Sequence, residues 1–249
     1  MTPADRQPVS AVPALAAYLL GSVDFDTCLA LQQRLVYETE ARRDGHISLL
    51  ICEHPPAITM GRHGSRIDIR YSPRTLASEG LTVRWVNRGG GSLVHAPGQL
   101  AIYPIVPLAA CGWNVGGFLD RLQQGIAAAL SEVGFQGQAP DGQLGMWGRT
   151  GQIVAVGVAV KNWTTYYGAY VNVSPSRRIL SAVQHGALKP VAMSSLAIER
   201  QQPVKMSRVR EGLVRHLAEA FDCPRYHLHT GHALLAHART RHGTSARAS

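Results

Sequence analysis

The chain has 249 residues, 45% of them hydrophobic and 16% charged, with a formal net charge of +9. That size and apolar share allow a substantial core and fit one large domain or two small ones, of which one is the favoured reading. No apolar run nears the roughly 18 residues of a membrane span and no charged leader precedes a hydrophobic signal core, so a soluble, cytoplasmic protein with no membrane partner is expected.

In chain order, Asp26 to Arg43 places Leu29, Leu31, Leu35 and Val36 among polar residues ahead of Gly45, which predicts an amphipathic helix with a glycine stop. A strand is expected over Ile47 to Glu53, broken by Pro55-Pro56 and resuming briefly before Gly61 and Gly64. Two further strands, Leu81 to Asn87 and Leu100 to Pro107, flank the run Arg88-Gly89-Gly90-Gly91-Ser92-Leu93-Val94-His95-Ala96-Pro97-Gly98-Gln99, expected as a loop between them. Val115 to Val133 carries Phe118, Leu122, Ile126, Ala129 and Leu130 at helical spacing, with Gly134 behind. A strand around "LGMWG" and a hairpin from Gln152 to Val160 and Tyr167 to Val173 follow, then a second amphipathic helix from Lys205 to Phe221. The expected organisation is one domain over residues 1–226 and a His- and Arg-rich tail over 227–249 without regular structure. Mixed strands and helices without regular alternation indicate an α+β fold, a mixed β-sheet flanked by helices.

Cys28, Cys52, Cys111 and Cys223 are widely spaced and form no C-x-x-C pair, so reduced, mostly buried thiols are expected and neither a disulfide framework nor a zinc site. The tail histidines His227, His229, His232, His237 and His242 fit no standard metal spacing, so no metal is expected there. From Arg200 onward nine basic residues stand against three acidic ones, which suits an acidic protein partner; without interleaved aromatics, no nucleic-acid partner is expected.

The glycine run is the stretch that most suggests a site. Three successive glycines let backbone approach another group closely, and Pro97-Gly98 forces a turn. The run has neither the G-x-x-x-x-G-K-[ST] spacing of a phosphate loop nor the G-x-G-x-x-G of a dinucleotide site, and no cofactor is expected. His95 within it is a candidate base, donor or ligand, weighed against a purely structural histidine.

"RGGGSLVHAPGQLAIYPI" resembles the signature of the octanoyltransferase family of lipoate biosynthesis, close to R-G-G-x-x-x-Tyr-H-G-P-G-Q before an apolar strand containing Y-P. "EHPPAITMGRHG" is similar to that family's E-H-x-P-V-x-T-x-G, and Gly151 to Ser174 to its K-I-A-x-I-G strand followed by x-H-G-x-A-L-N-V, all in the family's order. The resemblance, spanning about Asp26 to Phe221, implies the catalytic fold of the biotin and lipoate protein ligases. It also implies transfer of an octanoyl group from the thioester of acyl carrier protein to a lysine of a lipoyl domain, with those two acidic proteins as partners. Arg88, Gly89, Gly90, Gly91, Ser92, Pro97, Gly98, Gln99, Gly157, Tyr167 and Gly168 are the implied substrate-binding residues.

The family's catalytic pair is a cysteine nucleophile and a lysine that manages protons. At these positions the resemblance sets His185 and Gln152, and a neutral amide has no useful basicity. Val94, Ala96 and Tyr167 also depart from the family's tyrosine, glycine and second histidine. An acyltransferase using His185, His95 and Gln152 is the first expectation, with Lys161 and Lys189 as replacement lysines set less well. A non-catalytic relative that binds an acyl chain, carrier protein or lipoyl domain is the alternative. An ATP-dependent ligase fits less well, because such enzymes also rely on a lysine where this chain has Gln152.

Overall fold

The computed structural model describes residues 14–42, 44–140, 142–184, 192–223 and 225–236. Ten strands and six helices follow in the order β1 (Leu15–Ser22), α1 (Phe25–Arg42), β2 (Ile47–Glu53), β3 (Ala57–Met60), α2 (Pro73–Ser78), β4 (Thr82–Trp85), β5 (Ser92–His95) and β6 (Gln99–Ile105). Then come α3 (Val115–Ser131), β7 (Gly145–Gly148), β8 (Gly151–Lys161), β9 (Thr164–Asn172), α4 (Arg177–Leu180), α5 (Leu196–Arg200), α6 (Met206–Ala220) and β10 (Tyr226–Thr230).

A seven-stranded mixed sheet runs β10-β1-β2-β6-β9-β8-β7, and a three-stranded sheet runs β4-β3-β5. Helices α3 and α6 bury Phe118, Leu122, Leu213 and Leu217 with one set of sheet side chains, and α1 buries Cys28, Leu31 and Leu35 with another that includes Tyr103 and Tyr170. This is the expected sheet with flanking helices. The chain leaves the large sheet at Glu53, where Pro55-Pro56 cannot continue the ladder, and returns at Gln99 through the Pro97-Gly98 turn. Glu53 Oε2 accepts the Gly98 amide at 2.8 Å, so one bond joins the two crossings. Gly98 takes φ +92°, and a Cβ there would lie 2.7 Å from Ser174 backbone atoms.

Three differences from the sequence reading have local causes. The strand Leu15–Ser22 has no alternating pattern because it pairs on both sides, parallel to β2 and to β10, and such interior strands are apolar throughout. The expected domain boundary after residue 226 falls inside β10, so residues 227–230 extend the sheet instead of starting an irregular tail; Tyr18 stacks on His229 at 4.9 Å. The glycine run does not reach from β4 to β6 as one loop, because Ser92–His95 forms β5, antiparallel to β3. No helix among the described residues is long and apolar enough to cross a membrane.

Candidate active site

The glycine run packs on its own protein before it meets anything else. Gly89 N–H donates to Val158 O on β8 at 2.9 Å, while the amides of Gly61, Arg62 and His63 donate to the carbonyls of Gly91, Arg88 and Gly90 at 3.0–3.1 Å. Glycine at 157 opens the space: a Cβ there would sit 2.6 Å from Gly89 O and 3.2 Å from Arg88 Cδ. Gly168, opposite it in the ladder, is equally filled, since a Cβ would lie 2.1 Å from Ile102 O. The close approach expected of these glycines is therefore made by the chain's own carbonyls, and the Gly89 amide is already committed.

Arg88 turns inward and is fully buried. Its Nη1 donates to the carbonyls of Gly89 and Gly91 at 3.0 and 2.8 Å, and its Nη2 to the carbonyl and hydroxyl of Thr59, both at 2.8 Å. The guanidinium lies 5.9 Å from the Tyr170 ring centroid, bonds no carboxylate among the described residues and leaves Nε without a partner. Burial pulls its pKa down against the nearby tyrosines, yet arginine stays charged, so its carbonyl partners have to replace water.

From Thr59 the bonding continues into His95. Strand pairing sets His95 opposite Ala57, which puts Thr59 two residues along on the same face. Thr59 Oγ1 lies 2.8 Å from His95 Nε2, and His95 Nδ1 lies 2.9 Å from Gln99 Oε1. Gln99 Nε2 donates to Val94 O at 3.0 Å and Asn172 Oδ1 at 2.9 Å, which makes Oε1 an acceptor and puts the imidazole proton on Nδ1. Nε2 then accepts from Thr59. Burial, followed by the proximity of His54 and Arg88, depresses the His95 pKa well below the usual histidine value. His95 is thus a neutral imidazole with both nitrogens engaged, lodged against Phe25 and Tyr170 with centroids at 5.3 and 4.8 Å.

Beside it, His54 Nδ1 donates to Val23 O at 2.6 Å and Nε2 accepts from Tyr103 at 2.7 Å. Asn172 Nδ2 and the Tyr170 hydroxyl are buried without partners. His54 and Tyr103 lie inside the "EHPP" and "YP" segments, so their sequence signal was present but unread as part of a site. Thr59 and Asn172 likewise occupy the T of the first motif and the N of the third, and were not singled out.

Gln152 sits near the start of β8 and is also buried. Its amide and carbonyl bond Ala192 O at 2.9 Å and the Ser194 amide at 2.8 Å, its Nε2 reaches Val154 O at 3.2 Å, and Oε1 has no partner. Ala192, Met193 and Ser194 line a cavity of about 370 Å³ together with Arg70, Thr150, Arg177, Val183 and Gln184. His185 and Lys189 lie outside the described residues. Lys161 closes the tip of the β8–β9 hairpin in an exposed position, away from Gln152, which removes it as a replacement lysine.

Tyr167 takes φ +56° within β9, where its amide leaves the ladder to donate to Gln32 Oε1 on α1 at 2.8 Å. Ser92 Oγ donates to Asp68 Oδ2 at 2.7 Å. Glu199, on α5, accepts from Thr150 N and Oγ1 at 2.9 and 2.6 Å and from Arg149 N and Nε at 3.0 and 3.2 Å. Burial alone would raise its pKa, but these donors outweigh that and bring it down to about 2. The β7–β8 turn leading into Gln152 is thereby tied to α5.

Sequence spacing separated the cysteines, but folding brings Cys28 Sγ and Cys52 Sγ to 3.8 Å, with His54 Nε2 3.6 Å from Cys52. These three atoms form a set that could hold a metal ion. Burial raises the Cys52 thiol pKa well above its usual value and those of Cys111 and Cys223 to about 11 and 12. Among the described residues, no cysteine lines the cavity beside Gln152.

Residues 24–218 match the family model described as the lipoyl protein ligase A/B catalytic domain. A protein named octanoyltransferase from Roseiflexus sp. (strain RS-1) is 34% identical over 211 residues, covering 84% of this chain and 88% of the relative. Another of that name from Chloroflexus aggregans is 32% identical over 211 residues, covering 84% of this chain and 95% of the relative. In fold, the chain is similar to a bi-partite lipoate protein ligase from Thermoplasma acidophilum, with a TM-score of 0.65, 14% identity and 91% of each chain covered.

Proposed function

The chain belongs to the lipoyl protein ligase A/B catalytic-domain family, and from that premise we propose that it is an acyltransferase that moves an octanoyl group from an acyl carrier protein to a lysine of a lipoyl domain. The observation that carries this reading is that the buried groups left unbonded include three donors, Asn172 Nδ2, Arg88 Nε and the Tyr170 hydroxyl, and one acceptor, Gln152 Oε1. Acyl transfer uses both kinds of group, donors for the oxyanion of the tetrahedral intermediate and an acceptor for a hydrogen of the attacking amine.

In this mechanism the acceptor amine attacks the thioester carbonyl directly. The carbon–sulfur bond then breaks, the carrier leaves as its thiol, and an amide remains on the lysine. A buried carboxamide at 152 orients the amine but does not take its proton, and His185 is assigned that role as general base. His95 acts through Thr59, Arg88 and Gln99 as a positioning residue, because a base with both nitrogens bonded has no lone pair to offer. The glycine run, with Ser92, Pro97, Gly98, Gly157, Tyr167 and Gly168, shapes the wall for the acyl chain.

Octanoylated carrier protein and an apo lipoyl domain, incubated with the protein, should give a lipoyl domain heavier by one octanoyl group in intact mass spectra. A lipoyl domain of unchanged mass, under conditions where a cysteine-containing relative completes the transfer, would leave the binding-only alternative standing.

A further inference from the structure

The sequence drew attention to the basic C-terminal region as a partner surface. Folding neutralises part of it: on α6, Arg215 donates to Glu132 at 2.6 Å and His216 bonds both Glu132 and Glu219. Lys205, Arg208 and Arg225 keep their charge unpaired among the described residues, and a second unpaired set lies beside the cavity. Arg62, Arg66, Arg70 and Arg177 are exposed and make no ion pair among the described residues; the Arg70 side chain donates to the neutral amide of Gln184.

These arginines are displayed on a braced segment. A single 3-10 turn at Arg66–Asp68 is closed by a capping box from Ser65, and Asp68 is gripped by Ser92 Oγ at 2.7 Å. Gln184 N–H donates to Asp68 O at 2.8 Å and Arg70 N–H to Ala182 O at 2.9 Å, which joins this segment to the rim of the 370 Å³ cavity. Arg62 reaches toward Gly89 at one end, while Arg70 and Arg177 line the cavity at the other. Ile67 stands between them, 85% exposed, on a backbone that holds it out.

The nearby carboxylates do not offset this charge. Glu79 is paired with Arg178, Glu199 with Arg149, and Asp68 is buried under its own hydrogen bonds.

We propose that this Arg62–Arg70 segment, with Arg177, is the docking surface for the acidic acyl-donor carrier protein, and that the adjoining cavity admits the carrier's acyl arm. The proposal rests on the transfer reading above. Carrier proteins hold their thioester on a pantetheine arm linked through a phosphodiester, so an anion enters with the acyl group, and Arg70 and Arg177 at the rim complement it. Both partners are expected to be acidic, so it is the arm's anionic phosphodiester, which the acceptor's lysine lacks, that selects donor over acceptor for this face. A lone exposed isoleucine among arginines suits an apolar hollow ringed by carboxylates on the partner.

The test is a titration of octanoylated carrier protein into the full chain, read by fluorescence anisotropy at low and raised salt. Arg66→Glu combined with Arg177→Glu should weaken binding about tenfold or more at low salt, with Ile67→Asp weakening it further. Arg208→Glu on α6 should leave it unchanged. Circular dichroism verifies that the variants are folded, which their exposure favours. Undiminished affinity in the double variant, no carrier binding by the wild type, loss of binding in Arg208→Glu, or displacement of the carrier by a lipoyl domain or an RNA oligonucleotide would overturn the proposal. Wild-type transfer from a small octanoyl-pantetheine thioester separates the two readings. Transfer without carrier docking here defeats the docking surface alone, whereas docking here with no transfer from either donor defeats the transfer reading alone.

Discussion

Thr59 Oγ1 and His95 Nε2 lie 2.8 Å apart, and because Arg88 Nη2 donates to the same hydroxyl, the hydroxyl's own hydrogen is directed at the imidazole. A buried guanidinium, a hydroxyl, a neutral imidazole and a carboxamide thus form one donor-to-acceptor chain from Arg88 to Gln99. Thr59→Val keeps the shape and removes the link, stranding one Arg88 proton and His95 Nε2. A loss of about 2 kcal/mol is expected in urea denaturation. Transfer should fall with it, and a variant as stable as the wild type would show that the chain of bonds is not a brace.

Gln152→Leu should separate stability from activity. The carboxamide makes one 3.2 Å bond and leaves Oε1 unbonded, so an apolar side chain of similar size removes an unsatisfied buried atom. Thermal stability is expected to hold or rise, while octanoyl transfer falls on the order of a hundredfold as the amine loses its acceptor. Full transfer by the variant would remove Gln152 from the mechanism.

Gly157→Ala brings a methyl group to 2.6 Å from Gly89 O. The glycine run has to shift, and overpacking of this kind costs about 1–3 kcal/mol. If the run forms the proposed wall of the acyl site, a larger effect on KM for the octanoyl thioester than on kcat is expected in steady-state kinetics.

Thiol alkylation tests the absence of a cysteine nucleophile. Cys28, Cys52 and Cys223 are buried, and partly exposed Cys111 has its thiol pKa raised to about 11 by burial. Iodoacetamide at neutral pH should therefore modify the folded protein slowly, at Cys111 first, with transfer retained. Rapid inactivation would point to a thiolate in the reaction.

Glu199 gives the fold an acid limit. Its pKa is depressed to about 2 from an ordinary 4.5, so the native state holds fewer protons than the unfolded chain between those values. The stabilisation is complete above the unfolded value and is lost as pH falls through the native one. Glu199→Gln should lower stability at neutral pH on the order of 2 kcal/mol and flatten the pH dependence between about 4.5 and 2 in denaturation curves. An unchanged slope in that window would place the acid sensitivity elsewhere.

Much of this protein was already legible in its residues. The periodicities of α1, α3 and α6, the apolar runs of β2, β6, β8 and β9 and the ordered motifs around Glu53, Arg88 and Gly151 were enough for the fold and the family, because they depend on spacing along the chain. What a side chain bonds to depends on distant segments, and only the tertiary structure decided it. Pairing of β3 with β5 gives His95 a hydroxyl 36 positions away and turns a candidate base into a neutral, fully bonded imidazole. Packing of α1 on β2 brings Cys28 to Cys52, and pairing with β1 gives residues 226–230 a strand that their sequence does not announce. The glycine run was read as backbone bared for a ligand. In the fold its first amide and its carbonyls are taken up by β8, by residues 61–63 and by Arg88, since buried peptide groups have to be bonded wherever the chain folds over them.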